Sequence, residues 1–169
     1  MKCLIVPDIH NHHVIAERII EAIKPDKTIF LGDYFDDFND TYAHICATAE
    51  WFRWSVDQKD RIHLVGNHDI HYWFSQNSGV RCSGYDQGKS VAINDFVKPE
   101  HWNKLQFFFV LDDWFITHGG IHPYWIDRTK YNDGKEVQIT KSALIEKLKN
   151  GSIECKKHLT MFVLILIPL

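Results

Sequence analysis

Four short clusters in this chain carry carboxylates, imidazoles and an amide at spacings suited to holding metal ions: Asp8-x-His10, Gly32-Asp33-x-x-Asp36, Gly66-Asn67-His68-Asp69 and Thr117-His118-Gly119-Gly120. Each directly follows an apolar run, namely Leu4-Ile5-Val6, Ile29-Phe30-Leu31, Leu64-Val65 and Phe115-Ile116. Runs of this length predict buried strands. Four strands would therefore present polar groups from their carboxyl ends, and in open α/β sheets those ends form one crevice.

Residue type assigns roles within that crevice. Asp8 and His10 stand two apart and can bind one cation through a carboxylate and an imidazole. Asp33 has two carboxylate oxygens and can bridge two cations, with Gly32 turning the chain sharply before it. Asn67 and His118 offer an amide oxygen and a second imidazole to the other cation, and Gly66, Gly119 and Gly120 allow close backbone approach. Two cations about 3.5–4 Å apart can hold a bridging hydroxide and clamp an attacked phosphoryl group. His68, next to a ligand on what reads as an extended segment, points elsewhere and suits a general acid, with Asp36 to orient it.

The elements that must position these groups follow from periodicity. Asn11 is expected to cap a helix whose apolar positions Val14, Ile15, Ile19, Ile20 and Ile23 recur at helical spacing until Lys24-Pro25 stops it. Residues 27–31 and 61–65 read as strands, and residues 42–56 as a helix with Ile45, Ala49, Phe52 and Val56 on one face. This alternation predicts a parallel sheet. Residues 70–103 read as an insertion or lid of loop and short helices carrying Tyr72, Trp73, Phe74, Tyr85 and Trp102, whose commoner use is packing. A hairpin turning at Asp112-Asp113 joins strands at 104–111 and 114–117, and a late helix is expected over 141–148.

The chain has 169 residues, 45% hydrophobic and 24% charged, with a net charge of -3. That suits one globular domain and argues against a broad nucleic-acid footprint, which needs clustered Lys and Arg. Cys3, Cys46, Cys82 and Cys155 form no Cys-x-x-Cys pair, and the first apolar run is too short for a signal peptide, so a reducing cytoplasmic setting is expected. The apolar end, residues 161–169, is too short for a membrane span, which needs about 20 residues. It reads as a buried final strand or as an altered, shortened end.

Taken together in this order, the motifs resemble those of the calcineurin-like metallophosphoesterase superfamily over roughly Leu4 to His122, and His118-Gly119-Gly120 is most similar to its protein Ser/Thr phosphatase and diadenosine tetraphosphatase branch. The resemblance implies an α/β four-layer sandwich of two mixed sheets flanked by helices. It also implies two divalent metal ions, manganese, iron, zinc or magnesium, with manganese foremost. Their ligands would be Asp8, His10, Asp33, Asn67 and His118, and His68 and Asp36 would be the acid pair.

Two positions depart from the pattern. Asp37 occupies the place of an Arg that grips substrate phosphate in that branch, so either Arg81 supplies the grip or the substrate differs. The later Gly-His-x-His motif is missing, His122 is too close to His118 to replace it, and only His158 remains, which suggests a chain shortened at its C-terminal part. Residues 83–90 approach a nucleotide-binding phosphate loop but have Ser83 at its first Gly and no strand before it. His12, His13, His44, His63, His71 and His101 show no ligand spacing and read as surface or packing residues. The expected activity is hydrolysis of a phosphomonoester or phosphoanhydride, on a small phosphorylated substrate or a phosphoprotein, away from membranes. A catalytically silent binding module of the same fold is the rival, and a phosphodiesterase or nuclease a weaker one.

Overall fold

A computed structural model describes residues 1–112, 114–120, 131–132, 135–136 and 146. The chain divides into two units, Met1–Gln106 and Phe107–Leu169. In the first, β1 (Cys3–Val6), β2 (Lys27–Phe30) and β3 (Arg61–His63) form a parallel sheet in the order β1-β2-β3. The register pairs Ile5 with Ile29 and Ile29 with Ile62. Parallel neighbours need crossover connections, and α1 (His13–Ile23) and α2 (Tyr42–Ser55) supply them. The parallel α/β arrangement expected from the alternating pattern is present.

The core lies under α2 and the helices after the sheet. Ile45, Thr48, Ala49, Trp51, Phe52 and Ser55 of α2 are buried. The Phe52 ring packs on Tyr34 at 4.6 Å and on Trp102 at 5.3 Å. Beyond β3 come α3 (Asn67–Trp73), a 3-10 turn at Ser78–Val80, α4 (Gln87–Phe96) and α5 (Pro99–Trp102). Tyr72, Val80, Ala92, Ile93, Val97 and Trp102 are buried, so residues 70–103 contribute to this core, and Leu64 extends the sheet by a parallel bridge to Gln106.

A buried polar chain ties sheet to helices. Arg61 forms a two-pronged ion pair with Glu17 of α1 and donates to Ser55 Oγ at 2.9 Å. Ser55 Oγ lies 3.0 Å from His63 Nε2, His63 Nδ1 lies 3.0 Å from the Tyr34 hydroxyl, and that hydroxyl donates to the Leu64 carbonyl at 3.0 Å. The Tyr34 proton is committed to a carbonyl, so His63 Nδ1 carries the proton it donates to Tyr34, and Nε2 accepts from Ser55. Every link then has a donor and an acceptor, as buried polar groups require.

One expectation for α1 fails. Asn11 does not cap it: the helix starts after His12 with no side-chain cap, while Asn11 has left-handed backbone (φ 64°) and donates its amide to Asp40. The apolar positions recur along α1 as expected, with Val14, Ile15, Ile19 and Ile23 exposed and Ala16 buried. The helix does stop at Lys24, in left-handed backbone before Pro25.

In the second unit, β4 (Phe108–Leu111) and β5 (Trp114–Thr117) pair antiparallel, Leu111 opposite Trp114. Asp112 takes φ 51°, the left-handed backbone that two-residue hairpin turns favour. A further antiparallel pair joins β6 (Tyr131–Asn132) and β7 (Lys135–Glu136). Asp113, His122, His158, the apolar end at 161–169 and all of the 141–148 helix except Glu146 lie outside the described residues. No helix among the described residues is long and apolar enough to cross a membrane.

Candidate metal and acid site

The loops leaving β1, β2 and β3 meet at the carboxyl ends of the sheet. Backbone hydrogen bonds from Ile9 (3.0 Å) and His10 (2.8 Å) to the Asp33 carbonyl, and from Asn11 to the Tyr34 carbonyl (3.0 Å), join the first two loops. The third approaches so closely that a Cβ on Gly32 would collide with the Gly66 backbone, and one on Gly66 would collide with Asp33. Only glycine fits at either place. His10, Asn11, Asp33 and Asp36 all take positive φ, backbone that costs non-glycine residues energy and clusters at functional sites.

Asp69 holds this junction together. Its Oδ2 accepts from the Asp33 and Gly66 amides, both at 2.8 Å, and its Oδ1 from the Tyr34 amide at 2.9 Å. Burial and the neighbouring Asp33 carboxylate push the Asp69 carboxyl up, while the three donated amides oppose that push. Asp69 is also the third residue of α3 and reaches back to the amide before the helix, as a capping acid does. The segment Asn67–Asp69 is thus helical, not extended. Asn67 and His68 diverge because successive helical residues are about 100° apart.

Asp8, His10 and Asp33 come together. His10 Nε2 lies 3.9 Å from Asp8 Oδ2 and 4.0 Å from Asp33 Oδ2. His10 Nδ1 lies 2.9 Å from the Phe35 carbonyl. A carbonyl only accepts, so Nδ1 carries a proton and Nε2 is the ring nitrogen turned toward the two carboxylates. Two carboxylates and an imidazole nitrogen are ligands suited to a divalent cation, and the hydrogen bond behind the imidazole is the usual support of a metal-binding histidine. The residues present fit a divalent metal. Asn67 opens α3, and His118 follows β5 in the second unit.

His68 and Asp36 also meet. His68 Nδ1 lies 3.0 Å from Asp36 Oδ2, the His68 amide donates to Asp33 Oδ1 at 2.8 Å, and the His68 ring stands edge-on to His10 at 5.4 Å. Burial alone would raise the Asp36 carboxyl, but donors from His68, His71, Tyr72 and Lys89 outweigh it and hold it below the ordinary carboxylate range. The bond to Asp36 in turn raises the His68 imidazole above its usual value, against the opposing effect of burial.

Several groups at this site escaped the sequence reading. His71 Nε2 lies 2.9 Å from Asp36 Oδ2, the Tyr72 hydroxyl donates to Asp36 Oδ1, and Lys89 pairs with Asp36 at 3.0 Å and with Asp40. His71 had a usable signal, since it stands three residues after His68 and a helix puts such residues on one face. Lys89 sits in the near-phosphate-loop segment but is spent on carboxylates. Arg81 lies over the Tyr85 ring at 4.3 Å and donates to the Ser75 carbonyl at 3.4 Å. Of the histidines read as packing residues, His63 and His13 fit: His63 is buried, and His13 stacks on Trp51 at 5.4 Å.

A family model described as calcineurin-like phosphoesterase matches residues 1–162. No curated protein matches the chain.

Proposed function

Because the chain belongs to the calcineurin-like phosphoesterase family, we propose that it is a metal-dependent hydrolase of a phosphomonoester or phosphoanhydride, carried by a small molecule or a phosphoprotein. The observation that carries this reading is His10, whose Nε2 faces Asp8 and Asp33 because Nδ1 is tied to the Phe35 carbonyl. Two divalent cations, manganese before iron, zinc or magnesium, would supply the charge that activates water and neutralises phosphoryl oxygens. Asp8 and His10 would hold one, Asn67 and His118 the other, with Asp33 shared between them. His118 is assigned on its Thr-His-Gly-Gly motif alone.

The chain's own groups do the rest. His68 gives a proton to the leaving oxygen from Nε2, while Asp36 holds Nδ1, fixes the ring and stabilises its charge. Water attacks in line, so no phosphorylated enzyme forms. Arg81 is the proposed phosphate grip, since Lys89 is engaged by Asp36 and Asp40. A four-layer arrangement of two mixed sheets and a cytoplasmic setting complete the proposal.

Turnover of an aryl phosphate with added manganese tests it. Asp33→Asn should abolish activity, and His68→Ala should lower kcat by about 10²- to 10⁴-fold, the usual contribution of a general acid. Wild-type rates in both variants would overturn the assignment. A wild-type chain that binds metal but hydrolyses nothing would favour the silent binding module.

A further inference from the structure

A second group of metal-binding atoms lies beside the acid pair. His68 and His71 project from the same face of α3, and their ring centroids are 5.8 Å apart. The chain then returns so that Cys82 Sγ stands 3.0 Å from His71 Nδ1 and 3.9 Å from His68 Nδ1. One ligand atom from each of the three residues falls within 4.8 Å of the other two. Tetrahedral zinc, with bonds of about 2.0–2.3 Å, places its ligand atoms roughly 3.3–3.7 Å apart, so little movement is needed to close the set.

The surroundings favour such an ion. The Cys82 amide donates to His71 Nδ1 at 3.4 Å, which leaves His71 Nε2 as the nitrogen facing Asp36 Oδ2, 2.9 Å away. A carboxylate behind one imidazole nitrogen with the lone pair of the other aimed at a thiol is the arrangement that supports zinc-binding histidines. His71 is fully buried, whereas Cys82 is partly exposed and gives an ion a way in. Sulfur with two imidazoles selects a thiophilic cation over magnesium or manganese.

We propose that His68, His71 and Cys82 form a separate site for a thiophilic divalent cation of the zinc class, and that filling it shuts off hydrolysis by taking His68 Nδ1 from Asp36. Binding replaces the Cys82 thiol proton and the His68 Nδ1 proton, and both leave to solvent. His68 then keeps only its Nε2 proton, on an imidazole that would have to become an imidazolate to release it, so it no longer serves as an acid to a leaving group. The shut-off rests on the proposed role of His68, while the site itself does not.

Cobalt titration of the full chain tests the site, because cobalt bound to thiolate absorbs in the near ultraviolet. Wild type should show this band, Asp33→Asn and Cys46→Ser should keep it, and Cys82→Ser and His71→Ala should lose it while keeping the wild-type far-ultraviolet circular dichroism. No band in wild type, or one that survives Cys82→Ser, overturns the site. For the shut-off, aryl phosphate hydrolysis in manganese should fall at least tenfold on adding micromolar zinc, and Cys82→Ser, normalised to its own zinc-free rate, should resist. Equal inhibition of the two proteins overturns the shut-off. A chain with the cobalt band but no hydrolysis to inhibit would keep the site and drop the shut-off together with the hydrolase reading.

Discussion

Acidification should unfold this protein partly through His63. Burial, reinforced by the charge of Arg61, pushes the His63 imidazole down from its ordinary 6.5 to about 3, with the bond to Ser55 opposing. The local wiring agrees. Nδ1 already donates to Tyr34, and a proton on Nε2 would point at a Ser55 hydroxyl that already accepts from Arg61. The folded value lies below the unfolded one, so the unfolded chain takes up the proton first. Stability from neutral His63 is therefore intact above pH 6.5 and drains as pH falls toward 3. Linkage over that shift amounts to about 2 kcal/mol lost between pH 7 and pH 5, on the way to about 5 kcal/mol in all. Urea unfolding at pH 7, 6 and 5 in the presence of a chelator, for wild type and His63→Gln, isolates the effect, because His13 and His68 titrate in both proteins. Wild type should lose about 2 kcal/mol more than the variant over this range. Parallel losses, within about 0.5 kcal/mol, would refute the assignment of a neutral buried His63.

Other perturbations test other joints. In Asp69→Asn a single amide oxygen replaces two carboxylate oxygens that serve three backbone amides, so one buried N–H loses its acceptor at a cost of about 1–3 kcal/mol, partly offset by relief of repulsion with Asp33. Manganese affinity should fall with it, and equilibrium dialysis showing wild-type affinity would contradict the role given to Asp69. Phe52→Ala removes a fully buried ring packed on Tyr34 and Trp102 and should cost about 3–5 kcal/mol in urea unfolding; a loss under about 1 kcal/mol would mean that the core does not centre there.

Much of the frame was legible because β1, β2 and β3 are short apolar runs and α2 shows its buried face at helical spacing. Motif and strand end coincide in Asp8, His10, Asp33 and Asn67, so the convergence of the first three follows from where parallel strands finish. What the sequence left open has local causes. The stripe on α1 is periodic but lies exposed, and periodicity reports a face without saying what covers it. Asn11 has the chemistry of a helix cap, yet its left-handed backbone and its bond to Asp40 commit it to the loop junction. Asp69, Tyr72, Lys89 and Cys82 gain their meaning from contacts across 14 to 53 positions of sequence, which no local pattern encodes. His71 was the exception, since its spacing from His68 was readable.

The most direct measurement is the metal content of the purified chain after dialysis against manganese, made on wild type, Asp33→Asn and His10→Ala. Wild type should hold two equivalents, Asp33→Asn fewer than one if both ions share that carboxylate as proposed, and His10→Ala should lose part of its metal. Equal metal content in all three proteins, or none in wild type, would contradict the claim that these side chains gather around cations.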